Sequence, residues 1–424
     1  MLASWCRRRP GMWITLVVVM VTVGAYAAVV SQKPHPEARF ALVDIDSYPR
    51  LTGISMCANP LVPKPGVAVF RAMILSQVGG TDDGLAVCKE IADGTGTLSD
   101  HADGRAWDWH EVAARPADAA RVAQVLDWLL RTDDRGERNA MARRIGITYI
   151  IWNHLYYRVG GDDARWVLYT GTADPHDTHV HFSFSVAGAA QQTSWWTERG
   201  PLTWQLTSMP GTRFALGDGA VRPLAGDWNG DGRDTAGTYN VADRQFTLWQ
   251  QNTAGAAATT TPPIGPFGAI PFVGDWDGDG HDEVGVYEPL ARRFSFYSTS
   301  GAEVLPARVF GSDGDLPIIG DWNGDGVDDI GTYTPSSRTF TELLPDGSTR
   351  SRVFGAAKDT PIVGDWNGDG IDEIGVFRSS TNTFFSASQP IVTSVTYPPY
   401  RQLPVVGDWT GDGVDTGGVV RRRG

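Results

Sequence analysis

Five copies of one short phrase dominate the second half of this chain. Gly-Asp-Trp-x-Gly-Asp-Gly begins at Gly226, Gly274, Gly320, Gly364 and Gly407, so the leading aspartates Asp227, Asp275, Asp321, Asp365 and Asp408 stand 48, 46, 44 and 43 residues apart. A period of this size marks small units that bury their apolar faces only against one another. Each period alternates apolar runs with turn residues and carries no helical pattern. Around the fourth loop, Pro361-Ile362-Val363 precedes it, Ile374-Gly375-Val376-Phe377 and Thr383-Phe384-Phe385 follow, and the preceding unit closes on Phe354-Gly355. Four short strands per unit is what a propeller blade contains.

The ends of the repeat region set how the array finishes. Two strands precede the first loop, around Trp204-Gln205-Leu206 and Arg213-Phe214-Ala215-Leu216, and two accompany the fifth, the last running to Val419-Val420. Together they make one complete unit, and pairing them leaves no open sheet edge. The expectation is an all-β propeller of five blades over residues 201–424.

Each loop offers oxygen side chains at positions 1, 3, 5, 8 and 9, with glycine at 4 and 6. That spacing wraps oxygens around a hard cation such as Ca²⁺, which takes six to eight of them. The candidate ligands are Asp227, Asn229 and Asp231; Asp275, Asp277, Asp279 and Glu283; Asp321, Asn323, Asp325 and Asp329; Asp365, Asn367, Asp369 and Glu373; and Asp408 with Asp412. Position 12 holds Thr238, Val286, Thr332, Val376 and Val419, so the closing glutamate of an EF-hand is missing. The loops resemble the integrin-type FG-GAP and VCBS repeats, whose calcium loops join strands within a blade, and the resemblance implies calcium as a structural cofactor. Those families carry a carboxylate at position 9, where this chain has Thr235, Glu283, Asp329, Glu373 and Thr416. The middle three loops are therefore expected to bind best. The tryptophan at position 2 of every loop reads as packing between blades.

The first half has a different grammar. Val122, Val125, Leu126, Leu129 and Leu130 recur at helical spacing behind Pro116, which suits a first helical turn. Helices are expected over 65–77, 117–131 and 137–145, and strands over 147–152, 166–169 and 180–185. This is an α+β domain spanning 51–190, joined to the repeats by a polar connector at 191–200.

Within that domain, Ser99-x-His101-x-x-Gly104-x-Ala106-x-Asp108 is followed by His176-Asp177-Thr178-His179-Val180-His181. Both motifs resemble the M15-type zinc peptidases, which include D-Ala-D-Ala carboxypeptidases and murein endopeptidases with a hedgehog-like fold. Carried over by position, the resemblance implies that His101, Asp108 and His181 hold zinc and leave one position for water, the arrangement of a catalytic zinc site. Many relatives place a general-base glutamate where this chain has His176; His176 is the expected base, with Asp177 second. His179 is expected to orient the site or to meet the oxyanion. Trp107, Trp109, Trp152, Tyr156 and Tyr157 are core residues or the lining of a substrate groove.

Arg7-Arg8-Arg9 ahead of the apolar run from Met12 to Val30 directs export, as a cleaved signal or as a membrane anchor (residues 1–30), with 31–50 as a proline-broken linker. The protein is thus expected to be extracytoplasmic, touching the membrane only through that segment. Cys57 and Cys88 are the two exported cysteines and are expected to pair. A net charge of −13 argues against a nucleic-acid partner. The function expected is an exported zinc peptidase acting on peptidoglycan peptides or other cell-wall material, with a propeller that targets or adheres to a partner of unspecified nature. The alternative is a non-catalytic cell-surface binding protein.

Overall fold

The computed structural model describes residues 57–422 apart from 59–60, 86–87, 89–97, 135, 162–163, 172–173, 199, 210–211, 220 and 389–401. The proposed export segment and the linker at 31–50 lie outside the described residues. The chain is mostly β, with several antiparallel sheets and few helices.

The first half builds on one six-stranded sheet. Its strands are β1 (Thr81–Gly84), β2 (Ala106–His110), β3 (Ile147–Trp152), β4 (Leu155–Arg158), β5 (Trp166–Leu168) and β6 (His179–Phe184), in the order β1-β2-β6-β3-β4-β5. Alternation along a strand gives the sheet two faces. Trp107 and Trp109 of β2 and Val180, Phe182 and Phe184 of β6 are buried on one of them. Helix α1 (Pro65–Gln77) covers that face with Val67, Phe70 and Ile74, and α2 (Pro116–Leu130) with Val122, Val125, Leu126 and Leu129. Both helices begin on a proline, whose fixed φ and missing N–H suit a first turn. The third helix, α3, is shorter than its sequence pattern, Ala140–Ile145. Trp107, Trp109, Trp152 and Tyr157 are core residues. Cys57 and Cys88 form a disulfide, with Cα atoms 5.7 Å apart.

The stretch read as a polar connector contributes to this core. Ser194–Thr197 is a helical turn whose Trp195 and Trp196 are buried against the first half, and Trp196 Nε1 donates to the Ile145 carbonyl at 3.1 Å. Phe267, from the repeat region, joins the same cluster, edge-on to Trp128 with ring centroids 4.7 Å apart. Gln124 and Arg131 of the α2 region donate to the carbonyls of Phe267 and Gly268.

From Pro201 onward the described residues form five antiparallel sheets. Four have four strands; the fifth has three, and the stretch after its last strand, 389–401, falls outside the described residues. The five first strands are Val221–Gly226, Ile270–Gly274, Leu316–Gly320, Thr360–Gly364 and Gln402–Gly407. Each touches the next, and the last touches the first. One sheet is built from both ends of the region: Gln402–Gly407 pairs with Thr416–Arg422, which pairs with Pro201–Leu206, setting Val420 opposite Trp204. A cavity of about 370 Å³ separates Trp128, Arg131 and Arg144 from the starting ends of these strands at Val221, Ile270 and Leu316. The repeated loops follow the other ends.

Position 8 of the loops differs from its sequence reading. Its aspartate does not turn into its own loop but bridges to the loop before it. The Asp227 N–H donates to Asp282 Oδ2 at 2.7 Å while the Asp282 N–H donates to the Asp227 carbonyl at 2.8 Å. The same reciprocal pair links Asp275 to Asp328, Asp321 to Asp372, Asp365 to Asp415 and Asp408 to Asp234. The close approach requires the glycine that ends each first strand: a Cβ on Gly407 would lie 2.2 Å from Asp234 Oδ2, and one on Gly364 2.7 Å from Asp415 Oδ2.

Candidate metal centre

The face of the sheet turned away from α1 and α2 carries polar side chains. Ser99 caps a short 3-10 turn, Asp100–Asp103, which ends on Gly104 in the left-handed conformation and delivers His101 to the edge of β2. Asp108 of β2 lies directly opposite His181 of β6. Strand alternation puts His179, His181 and Ser183 on the same face.

His101, Asp108 and His181 converge. His101 Nε2 is 3.3 Å from His181 Nδ1 and 3.1 Å from Asp108 Oδ2, and His181 Nδ1 is 2.9 Å from Asp108 Oδ1. Ligand atoms about 2.0–2.2 Å from one ion in tetrahedral array are about 3.3–3.5 Å apart, so the three donors fit a zinc ion after a small outward relaxation. The tautomer of His101 agrees: its Nδ1–H donates to the Leu85 carbonyl at 3.1 Å, leaving Nε2 as the lone pair that faces the other donors. Burial pushes the Asp108 carboxyl up, but hydrogen bonds with His101 and His181 outweigh it and hold it well below the usual carboxylate range. Two borderline imidazole nitrogens with one hard carboxylate oxygen make a donor set that zinc accepts.

A second group lies beside the first. Asp174, His176 and His179 offer ligand atoms within 4.8 Å of one another. His179 Nε2 is 3.9 Å from both Asp108 Oδ1 and Asp174 Oδ2, bridging the two groups. His176 has φ 53°, a left-handed backbone that a non-glycine residue holds only under constraint. The constraint is visible: its carbonyl accepts the Asn153 N–H at 2.7 Å, and its own N–H donates to Asp174 Oδ1 at 2.9 Å. Its Nδ1–H donates to the Asp174 carbonyl at 2.9 Å, so Nε2 carries the lone pair. Burial, then the neighbouring His181 and His179, push the His176 imidazole down to about 4, leaving it neutral at physiological pH. Asp177 belongs to neither group; its carbonyl accepts the Ala113 N–H. Asp174 escaped sequence reasoning because it falls outside the fixed spacing of either motif. His110 turns away to Asp83, and Glu111 is buried against Arg121.

The repeated loops form a separate candidate. In the second loop, Asp275 Oδ1 accepts the Gly278 N–H at 2.7 Å and Oδ2 the Gly280 N–H at 2.8 Å, and Asp275, Asp277 and Asp279 converge within 4.8 Å. Burial, then Asp277, Asp275 and Asp279, push the Glu283 carboxyl up to about 7. Asp329 Oδ2 in the third loop is buried with no hydrogen-bond partner, an oxygen that a cation would satisfy. In the fourth loop, Glu373 Oε1 accepts from Asn367 Nδ2 at 2.7 Å. The first loop differs, because the Thr235 hydroxyl donates to the Trp249 carbonyl at 2.6 Å. The donor chemistry thus fits calcium best in loops two to four.

The family model of the VldE C-terminal domain matches residues 63–180, a span that holds His101, Asp108, Asp174, His176 and His179 and stops one residue before His181. No curated protein matches the chain. Similar solved structures include streptogramin B lyase, at 9% identity and TM-score 0.30, covering 66% of this chain and 94% of that one. A lectin of Agrocybe aegerita described as recognising non-reducing terminal N-acetylglucosamine is similar at 13% identity and TM-score 0.28, over 52% and 85%. BBS1N, in its complex with ARL6DN, is similar at 14% identity and TM-score 0.25, over 42% of this chain; the chain spans about half (54%) of that structure's length. Likenesses this weak carry no information on function.

Proposed function

We propose that the first half is an exported zinc-dependent hydrolase of amide bonds in peptidoglycan peptides, and that the second half is a five-bladed propeller stiffened by calcium. The observation that carries the first part is the convergence of His101 Nε2, Asp108 and His181 Nδ1 at 2.9–3.3 Å from one another. When bound there, zinc supplies a Lewis acid and a water acidified to a pKa of about 7. The protein does the rest. His176 Nε2 takes a proton from water as that water attacks the amide carbon and returns it to the departing amine. The Asp174 carbonyl holds the opposite ring nitrogen, so the imidazole keeps one tautomer through the cycle. His179 sits between the Asp108 and Asp174 carboxylates, its Nε2 3.9 Å from an oxygen of each. Tyr149 and Tyr156 lie on the same sheet face as His181. The choice of peptidoglycan rests on the likeness of the two motifs to the M15-type peptidases.

The propeller reading is supported by the unbroken succession of first strands and by the sheet that joins both ends of the repeat region. The calcium reading is supported by the unsatisfied Asp329 oxygen.

The test is metal content and turnover of the purified full chain beside His101→Ala and His176→Ala. One zinc per chain, lost in His101→Ala, with muropeptide hydrolysis that falls about 10²–10⁴-fold in a zinc-loaded His176→Ala, is the expected result. A folded chain without zinc would leave a surface-binding protein.

A further inference from the structure

The two imidazoles of the zinc site are held in different ways. Metal-bound histidines almost always donate their second ring N–H to a carboxylate, carbonyl or water, which fixes the ring plane. His101 follows that pattern through the Leu85 carbonyl. His181 turns Nδ1 toward Asp108, and its Nε2 is buried without a hydrogen-bond partner. On the Nε2 side no hydrogen bond sets its plane.

A phenol ring lies flat against it. Tyr149 of β3 pairs with Ser183 of β6, and its ring stacks on the His181 imidazole with centroids 5.5 Å apart and planes 20° apart. The Tyr149 hydroxyl lies close to Ser183 and Asp100. Ser183 Oγ itself donates to Asp100 Oδ2, and Arg105 Nη2 donates to Asp100 Oδ1 at 2.8 Å. Arg105 is buried and also donates to the Phe184 carbonyl at 2.7 Å, so Asp100 is tied to the backbone of β6. On its other side the Tyr149 ring meets Tyr156 at 5.4 Å. Asp100 directly precedes His101, so one short turn supplies both a metal ligand and a carboxylate close to the ring that lies on the other.

We propose that Tyr149 is the positioning residue for His181: a ring backed by Tyr156 and stacked on the imidazole holds the plane that aims Nδ1 at the metal. This rests on the zinc reading of the site. The flat face does the work.

The experiment measures zinc affinity of the full chain by chelator competition, and the visible spectrum of its cobalt-substituted form, for Tyr149→Phe and Tyr149→Leu. Tyr149→Phe keeps the ring and is expected to hold zinc within about threefold of the native chain, with an unchanged cobalt spectrum. Tyr149→Leu is expected to bind about 10–100-fold more weakly, with a shifted spectrum. Should the leucine variant fail to fold, Tyr149→Met fills the space without a flat face and carries the same expectation. Native affinity in the leucine or methionine variant overturns the positioning role alone. Absence of stoichiometric zinc in the native chain overturns the zinc reading and the inference with it.

Discussion

Asp415 offers the sharpest test of the aspartates that bridge one loop to the next. Its Oδ2 accepts the Asp365 N–H at 2.9 Å, and its own N–H donates to the Asp365 carbonyl at 2.8 Å. Burial pushes its carboxyl up to about 7; Asp365, Asp408 and Asp282 push the same way, against the Asp365 N–H, which lowers it. An unfolded aspartate titrates at 3.8. A raised pKa in the fold means that the stability this group contributes is whole below pH 3.8 and is lost as the pH rises through about 7. Each pH unit in that window is worth about 1.4 kcal/mol, so the ionised group costs the fold at most about 4 kcal/mol at pH 8. The side chain keeps some contact with solvent, which reduces the expected figure to about 1–3 kcal/mol. Asp415→Asn keeps the acceptor and removes the charge. In urea unfolding with EGTA it is expected to be more stable than the native chain by about 1–3 kcal/mol at pH 8, and by about a third of that at pH 5, which lies in the lower part of the window between 3.8 and about 7. Asp415→Ala also orphans the Asp365 N–H, at a cost of about 1–3 kcal/mol, so it gains little at pH 8 and loses at pH 5. An asparagine variant no more stable at pH 8, or equally displaced at both pH values, would refute the reasoning.

Two further outcomes follow from the same architecture. Phe267→Ala empties the cluster shared by Trp128 and Trp195 and should cost about 3–5 kcal/mol, read as one unfolding transition separating into two; a single unshifted transition would reject a shared core. Calcium should raise the thermal midpoint and EGTA lower it, with about three ions held tightly per chain and one of them lost in Asp329→Asn; a melt indifferent to EGTA would remove calcium from the account.

Much of this molecule is legible in residue order where chemistry recurs at fixed spacing. The helix from Pro65 to Gln77 and the strand from Ile147 to Trp152 end where their patterns end. The motif histidines share a sheet face because period-two alternation requires it of residues 179 and 181. Position 8 was misleading for a definite reason: its partner is a backbone N–H some 50 residues away, at Asp365 for Asp415, and backbone donors carry no signature in a sequence. Trp195 and Trp196 were hidden by small polar neighbours, and the core they enter is finished by Phe267, which lies beyond the first loop. Asp174 belongs to no motif, and only the turn at Asn153 and His154, whose N–H groups bind the carbonyls of His176 and Pro175, brings it to the site.

Helices α1 and α2 lie between the donor-bearing face of the first sheet and the repeat region, with Trp128 and Gln124 meeting Phe267 on the side remote from His181. The repeated loops sit farther still, past the ends of strands whose beginnings face Trp128. The molecule therefore has a front and a back. A partner held by the loops would sit at the back, on the side away from the sheet face that carries His179 and His181.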